Sequence, residues 1–230
     1  MATIGDNLQA VKSRIARAAR EVRRDPAALV LLAVSKGQPA AGIEEARAAG
    51  QASFGENYVQ EALAKMDVLP GLEWHLIGPL QSNKTRVVAE RFDWVQTVAS
   101  EKIARRLSEQ RPAGLPPLNV LVQVNASGEA TKSGVSPQDV SSLCNEIVKL
   151  KSLRLRGLMA IPEPGAPRER FREVRALYEA LKERFGFDTL SMGMSGDLEL
   201  AIAEGATLVR VGTAIFGSRS PSRGPVRSAA

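Results

Sequence analysis

Eight short apolar runs recur along this chain, and helical stretches separate them. They are LVLLAVS (29–35), ASFGE (52–56), EWHLIG (73–78), DWVQTV (93–98), PLNVLVQVN (117–125), LRLRGLMAI (153–161), DTLSMG (188–193) and TLVRVG (207–212). Parallel neighbours in a sheet are joined by crossover helices, so this alternation predicts a parallel sheet. Eight such units favour an α/β fold of the closed (β/α)8, TIM-barrel kind, with an open doubly wound sheet as the alternative. Only seven helices fall between strands. An extra N-terminal helix, with Ile4, Leu8, Val11, Ile15, Ala18 and Val22 on one stripe, is expected to cover the remaining face. Its other side, Lys12, Arg14, Arg17, Arg20, Arg23 and Arg24, reads as a solvated basic face, and Asp25-Pro26 stops it. No linker divides residues 1–218, which form one domain, and residues 219–230 read as a disordered basic tail.

Composition narrows the function classes. With 44% hydrophobic and 24% charged residues the chain is globular rather than disordered. No run approaches the roughly 18 apolar residues of a membrane span, and the N-terminal segment lacks a signal-type apolar run. Cytoplasmic location without membrane attachment is the expectation. One cysteine, Cys144, excludes an intrachain disulfide, and with one histidine, His75, it leaves too few soft ligands for a structural metal site. The formal charge of +6 owes three units to Arg219, Arg223 and Arg227 in the tail. Elsewhere acids and bases alternate without a basic stripe interleaved with aromatics, which argues against nucleic acid as the main partner.

A barrel builds its site at the C-terminal ends of its strands, so the residues that end each run are the candidates. Lys36 emerges from a seven-residue apolar run, where low dielectric frees an amine to act as a nucleophile toward aldehydes. A plain loop lysine is the competing reading. The loops after the seventh and eighth runs are glycine-rich, GMSG (193–196) and VGT (211–213). Phosphate sites of barrels form there, with Ser195 able to cap a helix and Gly212 allowing close backbone approach. Two simple helix starts would look the same. Asn57 ends the second run and His75 lies within the third, where a hydrogen-bonded wall residue and a catalytic base are equally compatible. Trp74 and Trp94, at matching places in adjacent runs, read as packing residues, and Cys144 as core.

The segments VSKGQP, FGENYVQEA, EWHLIGPLQSNK, VNASGEATKSGV, GLMAI and SMGMSGDLELAIAEGATLVRVGTAIFG together resemble the pyridoxal phosphate (PLP) homeostasis protein family, which is related to the barrel domain of alanine racemase. The resemblance covers about residues 5–218. It implies a fold-type III PLP-binding barrel in which Lys36 holds the cofactor as a Schiff base and Ser195, Gly212 and Thr213 contact its phosphate. Arg210 matches the arginine that faces the pyridine nitrogen in alanine racemase. Asn57, His75 and Lys84 fall in matching motifs, the first two counted as cofactor-site residues with their contacts left open. The implied function is intracellular PLP buffering or delivery, with PLP-requiring apoenzymes as recipients and no catalytic residue.

Two rival readings remain open at this point. One is a PLP-dependent amino-acid racemase using the same lysine; the other is a nucleic-acid or acidic-partner binder working through the tail and N-terminal helix. Racemisation needs two acid/base groups flanking the cofactor. Alanine racemase takes the second, a tyrosine, from a C-terminal domain of a partner subunit, and this sequence ends soon after its eighth run. A monomer without efficient racemase activity is therefore expected, with Tyr58 and His75 as the residues able to upset that expectation. Independently of any family, a guanidinium keeps its proton and accepts no hydrogen bond. Arg210 facing a pyridine nitrogen would leave that nitrogen unprotonated and the ring a weak electron sink.

Overall fold

Each apolar run becomes a strand: β1 (Val30–Val34), β2 (Ser53–Glu56), β3 (Glu73–Leu76), β4 (Trp94–Val98), β5 (Leu118–Val124), β6 (Leu153–Ala160), β7 (Thr189–Ser191) and β8 (Leu208–Val211). The computed structural model describes residues 2–127, 133–163 and 165–217. All neighbours pair in parallel in sequence order, and β8 returns to β1 with Arg210 opposite Leu32. The sheet is thus a closed barrel, and the open-sheet alternative falls. The basic tail, residues 219–230, lies outside the described residues.

Helices α1 (Ile4–Glu21), α2 (Ala40–Ala48), α3 (Val59–Val68), α4 (Thr85–Arg91), α5 (Glu101–Gln110), α6 (Val140–Ile147), α7 (Arg168–Phe185), α8 (Leu198–Ala203) and α9 (Thr213–Phe216) surround it. Thr3 starts α1 with a reciprocal cap: its hydroxyl accepts from the Asp6 N–H, and its own N–H donates to the Asp6 carboxylate. Leu8, Val11 and Ile15 are buried, each contributing about 1.5–3 kcal/mol, and α1 packs on α2, α8 and α9. The expected extra helix therefore covers the gap in the outer ring. It ends at Glu21, so Val22 is exposed rather than part of the stripe. Its basic face is also not wholly solvated. Arg14 pairs with Glu199 (2.8 Å), and Arg24 donates to the Ile202 carbonyl (2.8 Å).

Strand alternation sorts the core into two parts. Phe54, Trp74, Leu76, Val95, Val120 and Val209 face the helices, in one continuous cluster with the apolar helix stripes. Inside the barrel, Leu32, Ile77 and Leu208 form one small cluster, and Trp94, Leu121 and Met159 another. The two tryptophans therefore do not occupy matching places. Trp94 stands opposite His75 in the register, whereas Trp74 pairs with Phe54 and packs on it at 5.8 Å. Cys144 is fully buried in α6, and its thiol is pushed up to about 12 by desolvation. Among the described residues, no helix is long and apolar enough to cross a membrane.

Candidate cofactor site

At the C-terminal mouth a cavity of about 350 Å3 is lined by Val34, Lys36, Asn57, Ile77, Ile161, Met194, Ser195, Gly196, Arg210, Gly212 and Thr213. Six of the seven residues singled out in the sequence meet on this one wall. The seventh, His75, does not. It lies inside the barrel, 1% exposed and stacked on Trp94 at 5.0 Å, with ring nitrogens bonded to Glu73 and Gln96. Lys84, in the turn before α4, is also absent from the cavity wall.

Alternation brings Leu32 and Val34 into the barrel, and two residues further along the chain Lys36 stands at its rim. Its main chain is held from outside the sheet. Lys65 Nζ donates to the Ser35 carbonyl (2.8 Å), and Glu61 accepts from the Gly37 N–H (2.5 Å). Lys65 also bridges Glu56 (2.6 Å) and Glu61 (2.7 Å), and Glu56 accepts from the Ser35 hydroxyl (2.6 Å). Glu56 is fully buried; desolvation raises its carboxyl above the ordinary 4.5, opposed by Lys65 and Ser35. This buried cluster was not singled out from the sequence. Its one signal is Glu61 four residues before Lys65, the spacing of a helical ion pair.

Arg210, 3% exposed, donates to Ser191 Oγ (2.6 Å) and to the Ala160 carbonyl (2.9 Å). Burial lowers its guanidinium to about 10, with Asp197 pulling the other way, so it stays charged at neutral pH. It makes no ion pair among the described residues, and only two of its five N–H donors are committed in these bonds.

The glycines act through closeness. A Cβ on Gly78 would stand 2.1 Å from the Asn57 carbonyl oxygen, so only glycine lets the ends of β2 and β3 converge beside Asn57. One on Gly212 would meet the Val34 carbonyl oxygen at 3.0 Å. Ser195 does not cap α8, because Asp197 occupies that position and its carboxylate accepts from the Met194 N–H (2.5 Å). The Ser195 carbonyl is instead tied to Arg14 of α1 (3.2 Å). The helices after these loops have six and four residues, so hydroxyls and glycine backbone, rather than a helix macrodipole, are the polar groups this wall offers.

A closed barrel with a lysine and a buried arginine at its C-terminal mouth defines a class: the alanine racemase N-terminal domain family, which matches residues 7–220. The pyridoxal phosphate homeostasis protein of Pseudomonas aeruginosa is 59% identical over 226 residues, spanning 95% of this chain and 97% of that protein. The chain belongs to the pyridoxal phosphate homeostasis protein family. Among solved structures, a protein of unknown function from Bifidobacterium adolescentis superposes with a TM-score of 0.86 at 35% identity, covering 93% of this chain and 94% of that one. PipY of Synechococcus elongatus PCC7942 with PLP bound superposes with a TM-score of 0.76 at 40% identity, covering 88% and 100%.

Proposed function

We propose that this protein binds pyridoxal 5′-phosphate reversibly at the barrel mouth and serves PLP homeostasis, buffering the cofactor or delivering it to PLP-requiring apoenzymes. The observation that carries the reading is the meeting of Lys36, Arg210, Ser195 and Thr213 on one cavity wall. The residues fit the group. Lys36 would hold its aldehyde carbon as a Schiff base, amine and aldehyde condensing with loss of one water. Ser195, Thr213 and the backbone at Gly196 and Gly212 would take the phosphate, and Asn57 lies on the same wall. When bound, PLP supplies an electrophilic carbon and a ring able to accept electrons. Arg210 would face the ring nitrogen as a fixed donor with no proton acceptor, which keeps that nitrogen unprotonated and favours holding over turnover.

Tyrosine placement supports a carrier over a racemase. Tyr178 is buried in α7, and Tyr58, 66% exposed, is not part of the cavity wall. The single, buried cysteine fits a reducing compartment, the cytoplasm. A monomer is the functional unit this reading expects, with Lys36, Arg210, Ser195 and Thr213 all supplied by the same chain.

The deciding experiment is incubation with PLP, borohydride reduction and peptide mapping. The pyridoxyl group is expected on Lys36; finding it on another lysine, or on none, refutes the assignment. In a companion assay, D-alanine formation from L-alanine by PLP-saturated protein should be negligible. Turnover in the ordinary enzyme range of about 1 to 10³ per second, lost on Tyr58→Phe, would overturn the carrier reading.

A further inference from the structure

A file of hydrogen bonds runs through the barrel from the cavity to its opposite end. Arg210 Nη1 donates to Ser191 Oγ (2.6 Å), and Ser191 Oγ donates to Gln96 Oε1 (2.7 Å). Gln96 Nε2 meets His75 Nδ1 (2.9 Å), and His75 Nε2 meets Glu73 Oε1 (2.9 Å). Ser191, Gln96 and His75 are buried, so water is no alternative partner. Glu73 is anchored in turn by the Ser53 hydroxyl (2.8 Å) and the Trp94 indole N–H (3.3 Å), while the Trp94 ring lies parallel to the imidazole.

The chemistry of the links gives the file one direction. A guanidinium only donates, so Ser191 accepts and spends its single proton on the Gln96 oxygen. The amide then presents its N–H to Nδ1, which leaves Nε2 to carry the imidazole proton toward the Glu73 carboxylate. Reversing the amide would place its donors against a hydroxyl already accepting from Arg210, and would require a proton on both ring nitrogens. Burial of the imidazole opposes that charge.

We propose that Ser191, Gln96, His75 and Glu73 are positioning residues for Arg210, a one-way relay that aims its guanidinium at the ring nitrogen of bound PLP and registers cofactor binding at His75. The proposal rests on the reading of Arg210 as the ring-nitrogen partner. His75 then belongs to the cofactor site through Arg210 and not by contact.

The chain holds one histidine, so protein labelled with 15N in the imidazole gives a single pair of ring-nitrogen signals. Cofactor-free protein at neutral pH should show an unprotonated Nδ1 and a protonated Nε2. Adding PLP should shift both signals, and inorganic phosphate should shift neither. Ser191→Ala should keep the tautomer, lose the PLP-induced shift and bind PLP about tenfold more weakly. Ser191→Thr should restore both. A protonated Nδ1 in the cofactor-free protein would overturn the relay, as would a visible PLP chromophore on Lys36 with unmoved His75 signals. The absence of any chromophore with PLP would instead overturn the cofactor reading and the relay with it. These arms need only the unmutated protein, so an unstable Ser191 variant leaves the decision intact.

Discussion

Two contacts from outside the sheet fix the peptide groups on either side of Lys36, and both end in the Lys65–Glu61–Glu56 cluster. Truncating one partner of a buried ion pair strands the other's charge, at a cost of about 3–5 kcal/mol. Lys65→Met should therefore lower unfolding stability in urea by about that amount, and adding Glu56→Gln should recover much of it. Equal stability of Lys65→Met and the parent protein would show that the cluster carries no such load. On the opposite wall, Ser195 and Thr213 are the hydroxyls available to a phosphate. Hydrogen bonds to charged groups contribute about 1.5–3 kcal/mol each, so the Ser195→Ala, Thr213→Ala double variant should bind PLP about a hundredfold or more weakly. Its affinity for unphosphorylated pyridoxal should be unchanged. Equal loss for both ligands in a fluorescence titration would place the phosphate elsewhere.

Among the elements, every strand was legible because each sits on an apolar run bounded by Gly, Pro or polar residues, and parallel strands buried on both faces need such runs. The same property hid which residues look inward. Trp74 and Trp94 occupy similar sequence contexts, yet one faces the helices and the other the barrel axis. Gln96 and Ser191 look inward because of cross-strand register: Gln96 lies two residues beyond Trp94, which pairs with His75, and Ser191 lies opposite the inward Leu208. No single run carries that signal. Lys65 had no such signal beyond its spacing to Glu61, because its partners, Glu56 and the Ser35 carbonyl, come from separate strand ends. Six cavity residues could be named from strand ends alone, since the barrel mouth gathers those ends whatever the chain order. Where β2 and β3 converge, Gly78→Ala would drive a methyl into the Asn57 carbonyl. The loss should appear both as a lower Tm and as weaker PLP binding. A thermal melt and a cofactor titration that both match the parent would refute this reading of the junction.

Across the whole molecule the buried imidazole makes stability depend on pH. Burial holds His75 below its ordinary 6.5, so the unfolded chain takes up a proton that the folded chain refuses. The associated stability is present above about 6.5 and is lost as pH falls through the lower folded value. Glu73, held down to about 2 chiefly by its bond to His75, adds a second loss between 4.5 and about 2. Glu56, raised by burial, acts in the opposite sense above 4.5, so the comparison should be made against a variant that leaves it untouched. His75→Gln keeps one acceptor and one donor without titrating. Parent and variant should differ in the drop of urea midpoint between pH 7 and pH 5, the parent falling further; parallel curves would show that His75 does not titrate on unfolding. The barrel's closure carries one last consequence. Because β1 pairs with β8, Lys36 and Arg210 become neighbours only once the chain has been made through β8. A ribosome-bound chain still short of β8 has Lys36 but no completed pocket, so PLP capture would favour chains that have closed the ring.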